Sequence, residues 1–195
     1  VEITSRTPSA VLADAQPKTI RHDHEKWLKY FLTEREITFM RALRESDTAT
    51  TLVAHASVDV GVVTGKNEFF VLNGDQVTKL GLDGYTTPLV SRSAHLKGAK
   101  IGKADWKALS TAGDRVHLLN LGSIKGAKLP SALARYIRTG EEKAVHEGYK
   151  CSIRNPWYAV PSVWIPDGFV FRQIYDFPRM VLNQTEATST DTIHR

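Results

Sequence analysis

A glycine-bounded stretch from Gly61 to Asn67 is the first segment whose residue types and spacing suggest chemistry. It resembles the loop that cradles nucleotide phosphates, which has four residues between its glycines and a metal-binding hydroxyl after its lysine. Here three residues separate Gly61 from Gly65, and Asn67 stands at the hydroxyl position after Lys66. The stretch therefore favours a strand that ends in a glycine turn. Alternatively, Thr64, Lys66 and Asn67 contact the backbone and base edges of a nucleic acid.

The tetrapeptide Asn155-Pro156-Trp157-Tyr158 is the second segment of this kind. It is similar to the motif with which adenine DNA methyltransferases hold a flipped adenine, although Trp157 replaces the second proline. No glycine-rich strand-to-helix turn for a cofactor precedes it. The tetrapeptide predicts either a partly buried aromatic cluster or a DNA-binding surface formed by Arg154, Trp157 and Tyr158.

Other residues with catalytic or metal-binding potential do not form a complete set. The single cysteine, Cys151, excludes an internal disulfide and a cysteine-based zinc site, and a small buried residue is the usual role for such a cysteine. His22 and His24 flank Asp23, but a metal site needs a third ligand that the sequence does not place. A solvated polar turn is therefore the expectation for this segment.

The basic residues are concentrated in the middle of the chain. The chain carries 26 basic and 21 acidic residues, and its net charge is +5. Between residues 91 and 138 there are ten basic residues and only Asp105 and Asp114 as acids. A basic region on an otherwise nearly neutral chain is typical of a protein that binds a polyanion, although it is also compatible with a solvated surface. The basic residues of this region are Arg92, Lys97, Lys100, Lys103, Lys107, Arg115, Lys125, Lys128, Arg135 and Arg138.

Length and composition indicate a small globular protein. With 195 residues, of which 42% are hydrophobic and 24% charged, the chain is long enough to bury a core and differs from disordered or collagen-like chains. Its apolar runs are too short for a membrane-spanning helix. We expect a cytoplasmic monomer that does not associate with a membrane.

The order of predicted elements indicates an α+β fold of short, mostly antiparallel strands with interspersed helices. Residues 1–20 are predicted to be an irregular leader or linker, and residues 21–195 a single domain. Thr33 and Glu36 form a capping-box pattern at the start of a helix. Helices are also predicted over 103–109 and 130–138, and Thr139 with Glu142 predicts the start of a further helix.

The predicted strands are short and bounded by glycine, proline or turn residues. Asn73-Gly74 is interpreted as a turn that follows one of them. The strands are predicted over 58–63, 69–72, 88–90, 116–121 and 180–183. Between residues 160 and 174, short strands split by Pro161 and Pro166 are predicted.

Three segments, in order, resemble those of the target-recognition region of TaqI-like adenine DNA methyltransferases. They are Gly61–Phe70, Tyr149–Pro161 and the stretch from Met180 to Arg195 that contains Ala187-Thr188-Ser189-Thr190-Asp191-Thr192. Pro88-Leu89-Val90 and Arg92 lie between the first two, as in that family. The similarity covers about residues 20–195.

The resemblance implies that this chain is the C-terminal recognition domain of such an enzyme. The parent enzyme then carries a catalytic domain in the same polypeptide, which binds S-adenosylmethionine, while this chain binds double-stranded DNA and neither a cofactor nor a metal. The resemblance also extends to specificity subunits of restriction systems, which usually carry two such domains. We expect no methyl transfer by this chain alone, because it has no cofactor motif and no complete catalytic motif.

The site residues implied by the resemblance come from the three similar segments and the basic region. An alternative role for the first and third segments is to hold the recognition fold together. The residues expected to contact DNA are Thr64, Lys66, Asn67, Arg92, Lys97, Arg154, Trp157, Tyr158, Asn183, Thr188 and Ser189.

Two other classes of function remain open at this level. A small self-contained methyltransferase would use Asn155 and Tyr158, and would have to bind S-adenosylmethionine. A protein-interaction module would expose Trp27, Trp157 and Trp164 as an apolar patch.

Overall fold

The computed structural model describes residues 7–15, 17–21, 25–122, 124, 129–174 and 176–195. The chain divides into two compact units, 1–57 and 58–195. The boundary predicted at residue 20 lies inside the first unit.

The described residues of the first unit form two α-helices and two short 3-10 helices. These are α1 (Pro8–Ala13), a 3-10 helix (Trp27–Phe31), α2 (Glu34–Glu45) and a second 3-10 helix (Leu52–Ala54). The leader predicted to be irregular thus contains a helix, which begins because the Thr7 side chain accepts from the backbone and Pro8 fits the first helical position. The capping box of Thr33 and Glu36 is confirmed at the start of α2.

Glu25 links three parts of the first unit. Its carboxylate accepts hydrogen bonds from Arg41 of α2, from Lys29 and from the Tyr30 hydroxyl. The hydrogen bonds from Arg41 and Lys29 hold the pKa of Glu25 well below its usual range. This carboxylate therefore stays ionised at neutral pH and tethers the 3-10 helix to α2.

The second unit contains two four-stranded mixed sheets. The first has the order β1 (Val71–Leu72), β4 (His117–Leu119), β2 (Thr86–Val90) and β7 (Thr188–Ser189). The second has the order β3 (Lys100–Gly102), β6 (Met180–Gln184), β5 (Gly168–Phe171) and β8 (Ile193–His194). Four of the six strand pairs are antiparallel, whereas β2 with β7 and β3 with β6 are parallel. The predicted α+β class with mostly antiparallel strands is confirmed.

The described residues of the second unit also form five α-helices. They are α3 (Asn67–Phe70), α4 (Gly74–Leu80), α5 (Lys103–Thr111), α6 (Ser131–Glu142) and α7 (Tyr149–Ser152). Short 3-10 helices cover Ser93–His95 and Val145–Glu147. The helices predicted over 103–109 and 130–138 correspond to α5 and α6.

Strand β2 separates two hydrophobic cores of the second unit. Leu89 belongs to a core with Phe70, Leu118 and Leu133, whereas its neighbour Val90 belongs to a core with Phe169, Val181 and Ile193. Successive side chains of a strand point to opposite faces, so one strand serves both cores. The C-terminal segment also serves both sheets, because β7 lies in the first and β8 in the second.

Several predicted strands and turns are wrong in detail. Phe69 and Phe70 form the end of α3, and the strand begins only at Val71. Asn73 is the N-cap of α4, because its side chain accepts from the Gln76 backbone in a capping box. Side-chain capping thus replaces the predicted turn.

The region around α6 also differs from the prediction. Thr139 does not start a new helix, since its hydroxyl donates to the Tyr136 carbonyl within α6, which continues to Glu142. Residues 160–165 form no strand, and Pro161 and Pro166, which lack backbone donors, bound the stretch. Residues 58–63 form only two isolated bridges, from Val60 and Val62 to the C-terminal segment.

Candidate nucleic-acid interface

A cleft of about 800 Å³ lies between the segment after β2 and the loop that joins β5 to β6. Six of its lining residues carry the argument below, and we call this the β5–β6 cleft. They are Lys97, Phe171, Arg172, Gln173, Phe177 and Arg179.

Arg179 connects the two walls of the β5–β6 cleft. Its guanidinium donates to the carbonyl oxygens of Leu96 at 3.1 Å and Lys97 at 3.2 Å. The same group lies over the Phe171 ring, 4.6 Å from the ring centroid. These contacts hold a positive charge in place, because a planar guanidinium can stack on an aromatic ring while it donates in its own plane.

The charge of the β5–β6 cleft is predominantly positive. Lys97, Arg172 and Arg179 line it, and Asp176 is the acidic residue among its lining residues. Arg92 is exposed and immediately precedes the lining residues Ser93 and Ala94. Such a group of cations beside amide and aromatic side chains can bind phosphates and contact bases.

The residues expected from the sequence to contact DNA fall into an exposed, a half-buried and a buried group. Asn67 and the cations Lys66, Arg92 and Lys97 are exposed, and of these Lys97 lines the β5–β6 cleft. The ammonium group of Lys66 lies 3.7 Å from the Glu68 carboxylate, and both side chains are largely exposed. These three lysine and arginine side chains are accessible to a phosphate backbone.

Three of the expected residues are buried. Thr188 and Ser189 are 0% exposed and Thr64 is 3% exposed. The Ser189 hydroxyl donates to the Ile193 carbonyl, and the Thr188 hydroxyl accepts from Arg195. Because buried hydroxyls with partners cannot reach DNA in this conformation, these residues support the alternative that the similar segments hold the fold together.

The half-buried Asn183 side chain is also held by hydrogen bonds within the protein. Its amide group donates to the carbonyls of Pro166 and Ala187, and its side-chain oxygen accepts from the backbone and hydroxyl of Thr185. These contacts use both ends of the amide, so Asn183 orders the turn between β6 and β7.

The glycine-bounded stretch is also structural. The Thr64 hydroxyl donates to the Asn67 side-chain oxygen at 2.5 Å, and the Lys66 backbone donates to the same hydroxyl at 3.2 Å. A Cβ at Gly61 would lie 2.1 Å from the Thr190 carbonyl oxygen. Only glycine therefore lets this segment pass so close to the C-terminal segment.

The aromatic segment packs against the same stretch. Arg154 donates to the carbonyls of Val63 at 2.7 Å and Thr64 at 2.8 Å. Trp157 is half-buried and lies against the rings of Phe69 and Tyr158. The three segments that resemble the methyltransferase family thus meet one another in a junction, defined here by the stretches 61–70, 149–161 and 180–195.

Two basic residues of the region between residues 91 and 138 make contacts within the protein. Arg115 donates to the carbonyls of Val71 and Asn67, so it fastens α3 to the sheet. Lys103 lies 3.1 Å from the Glu186 carboxylate. Other basic residues of this region are exposed, including Lys107 and Arg138, whereas Lys125 and Lys128 lie outside the described residues.

Sequence reasoning missed two of the three cations that line the cleft, which lie in the loop between β5 and β6. Arg172 and Arg179 flank this loop, which also holds Gln173 and Phe177. In the sequence, residues 172–179 form a polar and aromatic stretch with an arginine at each end, between two predicted strands. It lay outside the basic region between residues 91 and 138.

The residues of this chain do not fit S-adenosylmethionine at the glycine-bounded stretch. The space beside Gly61 is filled by the Thr190 carbonyl, and a Cβ at Gly65 would meet the Lys150 side chain at 2.9 Å. The helix that follows, α3, has only four residues. A cofactor phosphate or carboxylate site therefore has no room here.

Neither the cysteine nor the histidines form a reactive site in the described part of the chain. Cys151 is fully buried, and burial raises the pKa of its thiol, which opposes nucleophile formation. No group of three His, Cys, Asp or Glu residues able to hold a metal occurs among the described residues, and His22 and His24 lie outside them. No helix in the described ranges is long and apolar enough to cross a membrane.

Comparison with known proteins supports the resemblance noted in the sequence. The model of the family "Type II methyltransferase M.Eco57I, C-terminal domain" matches residues 24–195. The chain is also 24% identical over 146 residues to the type II methyltransferase M.AccI of Acinetobacter calcoaceticus. That match covers 72% of this chain and 25% of M.AccI, so the chain spans about a quarter of the length of this relative.

The matched region covers both the β5–β6 cleft and the junction of the three similar segments. The expectation of a C-terminal domain from a type II methyltransferase is confirmed, and the chain belongs to the family of the M.Eco57I C-terminal domain.

Proposed function

We propose that this chain binds duplex DNA through the β5–β6 cleft and serves as the target-recognition domain of a type II adenine DNA methyltransferase. The observation that carries the proposal is the group of three cations, Lys97, Arg172 and Arg179, on an open cleft next to exposed Arg92. Family membership supports it, since the family is by name the C-terminal domain of a type II methyltransferase.

The cations of the cleft have different roles in this proposal. Arg179 is held by two carbonyls and an aromatic ring, so it acts as a fixed phosphate contact. Lys97 and Arg92 are exposed and can adjust to the path of the DNA backbone. Gln173 also lines the cleft and can contact base edges, since its amide both donates and accepts hydrogen bonds.

Methyl transfer belongs to the rest of the parent enzyme in this proposal. The catalytic domain precedes this chain in the same polypeptide, binds S-adenosylmethionine and receives the flipped adenine. This chain binds the duplex. Isothermal titration of the chain with S-adenosylmethionine should give no binding, and measurable binding would revive the alternative that uses Asn155 and Tyr158.

Fluorescence anisotropy with a labelled duplex of about 20 base pairs tests DNA binding, between about 50 and 200 mM salt. The test variant is Arg92→Gln with Lys97→Gln, and the control is Lys107→Gln with Arg138→Gln. Both double variants remove two exposed positive charges from the same basic region of the sequence. Only the first pair removes charge at the cleft.

The cleft variant should lose about tenfold in affinity or more, and its logarithmic salt dependence should become shallower by about two. The control should stay close to the unmodified chain. Equal losses in both variants would mean that net charge, rather than the cleft, attracts DNA. A chain that binds no duplex at about 50 mM salt would contradict the proposal.

A further inference from the structure

The loop between β5 and β6 exposes a large aromatic side chain at the β5–β6 cleft. Phe177 lines the cleft and its surface is 64% exposed. Ile174, in the same loop, is 61% exposed. Two large apolar side chains left in water on one loop call for an explanation, because exposure of apolar surface is unfavourable.

The charges around Phe177 restrict what can cover it. Arg172 and Arg179 begin and end the same loop segment, and Lys97 lies across the cleft. Asp176, directly before Phe177, is the acid among the lining residues, so the cations outnumber it. A purely apolar partner would have to desolvate these cations without pairing them, which costs free energy. A duplex satisfies both requirements, because its phosphates pair with the cations while an unstacked base step offers flat apolar faces.

The backbone on either side of Phe177 is restricted in conformation. Pro178 follows it, and a residue before proline is restricted to extended conformations. At the base of the loop, the Phe171 backbone donates to the Arg179 carbonyl at 3.2 Å, which closes the β5–β6 hairpin. Arg179 is in turn anchored to the opposite wall through Leu96 and Lys97. The aromatic side chain is therefore carried on a loop with a fixed base.

We propose that Phe177 inserts between the bases of DNA bound in the β5–β6 cleft and acts as an apolar wedge. The proposal rests on the proposed DNA-binding function and adds a residue that opens the base stack. Apolar side chains that enter a base step unstack it and bend the duplex, and neighbouring phosphate contacts offset the cost. Because the wedge must separate two stacked bases, the chain should bind more tightly to a duplex in which the base stack is already interrupted.

The test compares two labelled duplexes of the same sequence, one intact and one with a single abasic position. Anisotropy gives the affinity of the unmodified chain, Phe177→Ala and Phe177→Trp for each duplex. Phe39→Ala is the matched control, because Phe39 is also 64% exposed and is not a lining residue of the cleft. Thermal unfolding of each variant checks that the fold is intact.

The unmodified chain should bind the abasic duplex about fivefold more tightly or better, given the strength of aromatic stacking on bases. Phe177→Ala should bind the two duplexes within about twofold of each other, with the same salt dependence as the unmodified chain. Phe177→Trp and Phe39→Ala should keep the preference. This pattern separates a wedge from a simple loss of charge or of stability.

Two results would overturn the inference in distinguishable ways. Salt-dependent binding of the unmodified chain without an abasic preference, or a preference that survives in Phe177→Ala, would remove the wedge and leave the DNA-binding function in place. An unmodified chain that binds neither duplex would overturn both proposals, and the exposed aromatic loop would then be assigned to a protein partner.

Discussion

The guanidinium group of Arg154 donates a 2.8 Å hydrogen bond to the carbonyl oxygen of Thr64, which lies 90 residues earlier in the chain. A second bond, at 2.7 Å, reaches the Val63 carbonyl. These bonds join two of the segments that resemble the methyltransferase family. Arg154 thus stabilises the junction, although the sequence suggested a DNA contact for it.

Replacing Arg154 by glutamine should destabilise the second unit. The change leaves two carbonyls without their charged donor, so we expect the free energy of unfolding to fall by about 2–3 kcal/mol. Urea denaturation measures this, and Arg138→Gln on the exposed face of α6 is the control. Unchanged stability combined with weaker DNA binding would instead make Arg154 a DNA contact.

Gly140 should not tolerate even a methyl group. A Cβ at this position would lie 2.6 Å from the Trp157 ring and 2.7 Å from the Phe69 ring. Overpacking of this kind costs about 1–3 kcal/mol, which exceeds the gain of about 1 kcal/mol from alanine in a helix in most of that range. We therefore expect Gly140→Ala to lower the unfolding temperature.

Gly74→Ala in α4 is the matched control for Gly140. Its Cβ would meet its nearest neighbour, the Ser110 hydroxyl oxygen, at an ordinary 3.5 Å. This variant should unfold at or slightly above the temperature of the unmodified chain. If both variants behave alike, the close packing of Trp157 and Phe69 on α6 would be in doubt.

Asn183→Asp should destabilise the turn between β6 and β7. The substitution keeps the shape but replaces a donor group that serves two carbonyls with a carboxylate oxygen, so both acceptors face a negative charge. We expect a loss of about 2–4 kcal/mol in the free energy of unfolding. Gln184→Glu makes the same charge change at the next, exposed residue and should cost less than about 0.5 kcal/mol. Similar denaturation midpoints for the two variants would contradict this structural role of Asn183.

Stability should fall as the pH drops below about 6.5. Burial lowers the pKa of both His95 and His117, so the folded state disfavours their protonated forms. Below the ordinary histidine pKa the unfolded chain binds more protons than the folded chain, and the free energy of unfolding therefore decreases with falling pH. Above that value the two histidines are neutral in both states and the penalty is absent.

Urea denaturation at about pH 8 and about pH 5.5 measures this dependence, in a range where most carboxylates stay ionised. The double variant His95→Gln with His117→Gln should show a smaller difference between the two pH values, whatever its stability at the higher one. A difference as large as that of the unmodified chain would show that other groups control the pH dependence.

Much of the fold could be predicted from local sequence patterns. The capping box of Thr33 and Glu36 and the helices α5 and α6 follow from side-chain spacing and capping chemistry. Local patterns failed where tertiary contacts compete with propensity. Phe69 has the β propensity of an aromatic residue, yet its ring stacks on Tyr136 and the segment folds as a helix.

The candidate site was only partly predictable. Lys97 and Arg92 were identified from the charge of the sequence, and the structure places them on or next to the β5–β6 cleft. Arg172 and Arg179 were missed, because charge summed along the chain does not reveal which residues, distant in sequence, line the same cleft. Thr188 and Ser189 were identified from similarity to a family, and similarity does not distinguish a buried hydroxyl from an exposed one.

The sequence by itself determined the α+β class and the capped helices, because these follow from residue types at short spacing, and the similarity of three segments to a known family indicated the family. Only the tertiary structure decided which polar side chains make hydrogen bonds within the protein and which are exposed and able to contact DNA. Pairing of the C-terminal segment with β2 and with residues 60–62 buries Thr188, and the β5–β6 hairpin brings Arg179 against Lys97. These contacts join residues from about 80 to about 130 positions apart, and burial depends on such long-range pairing rather than on any local pattern.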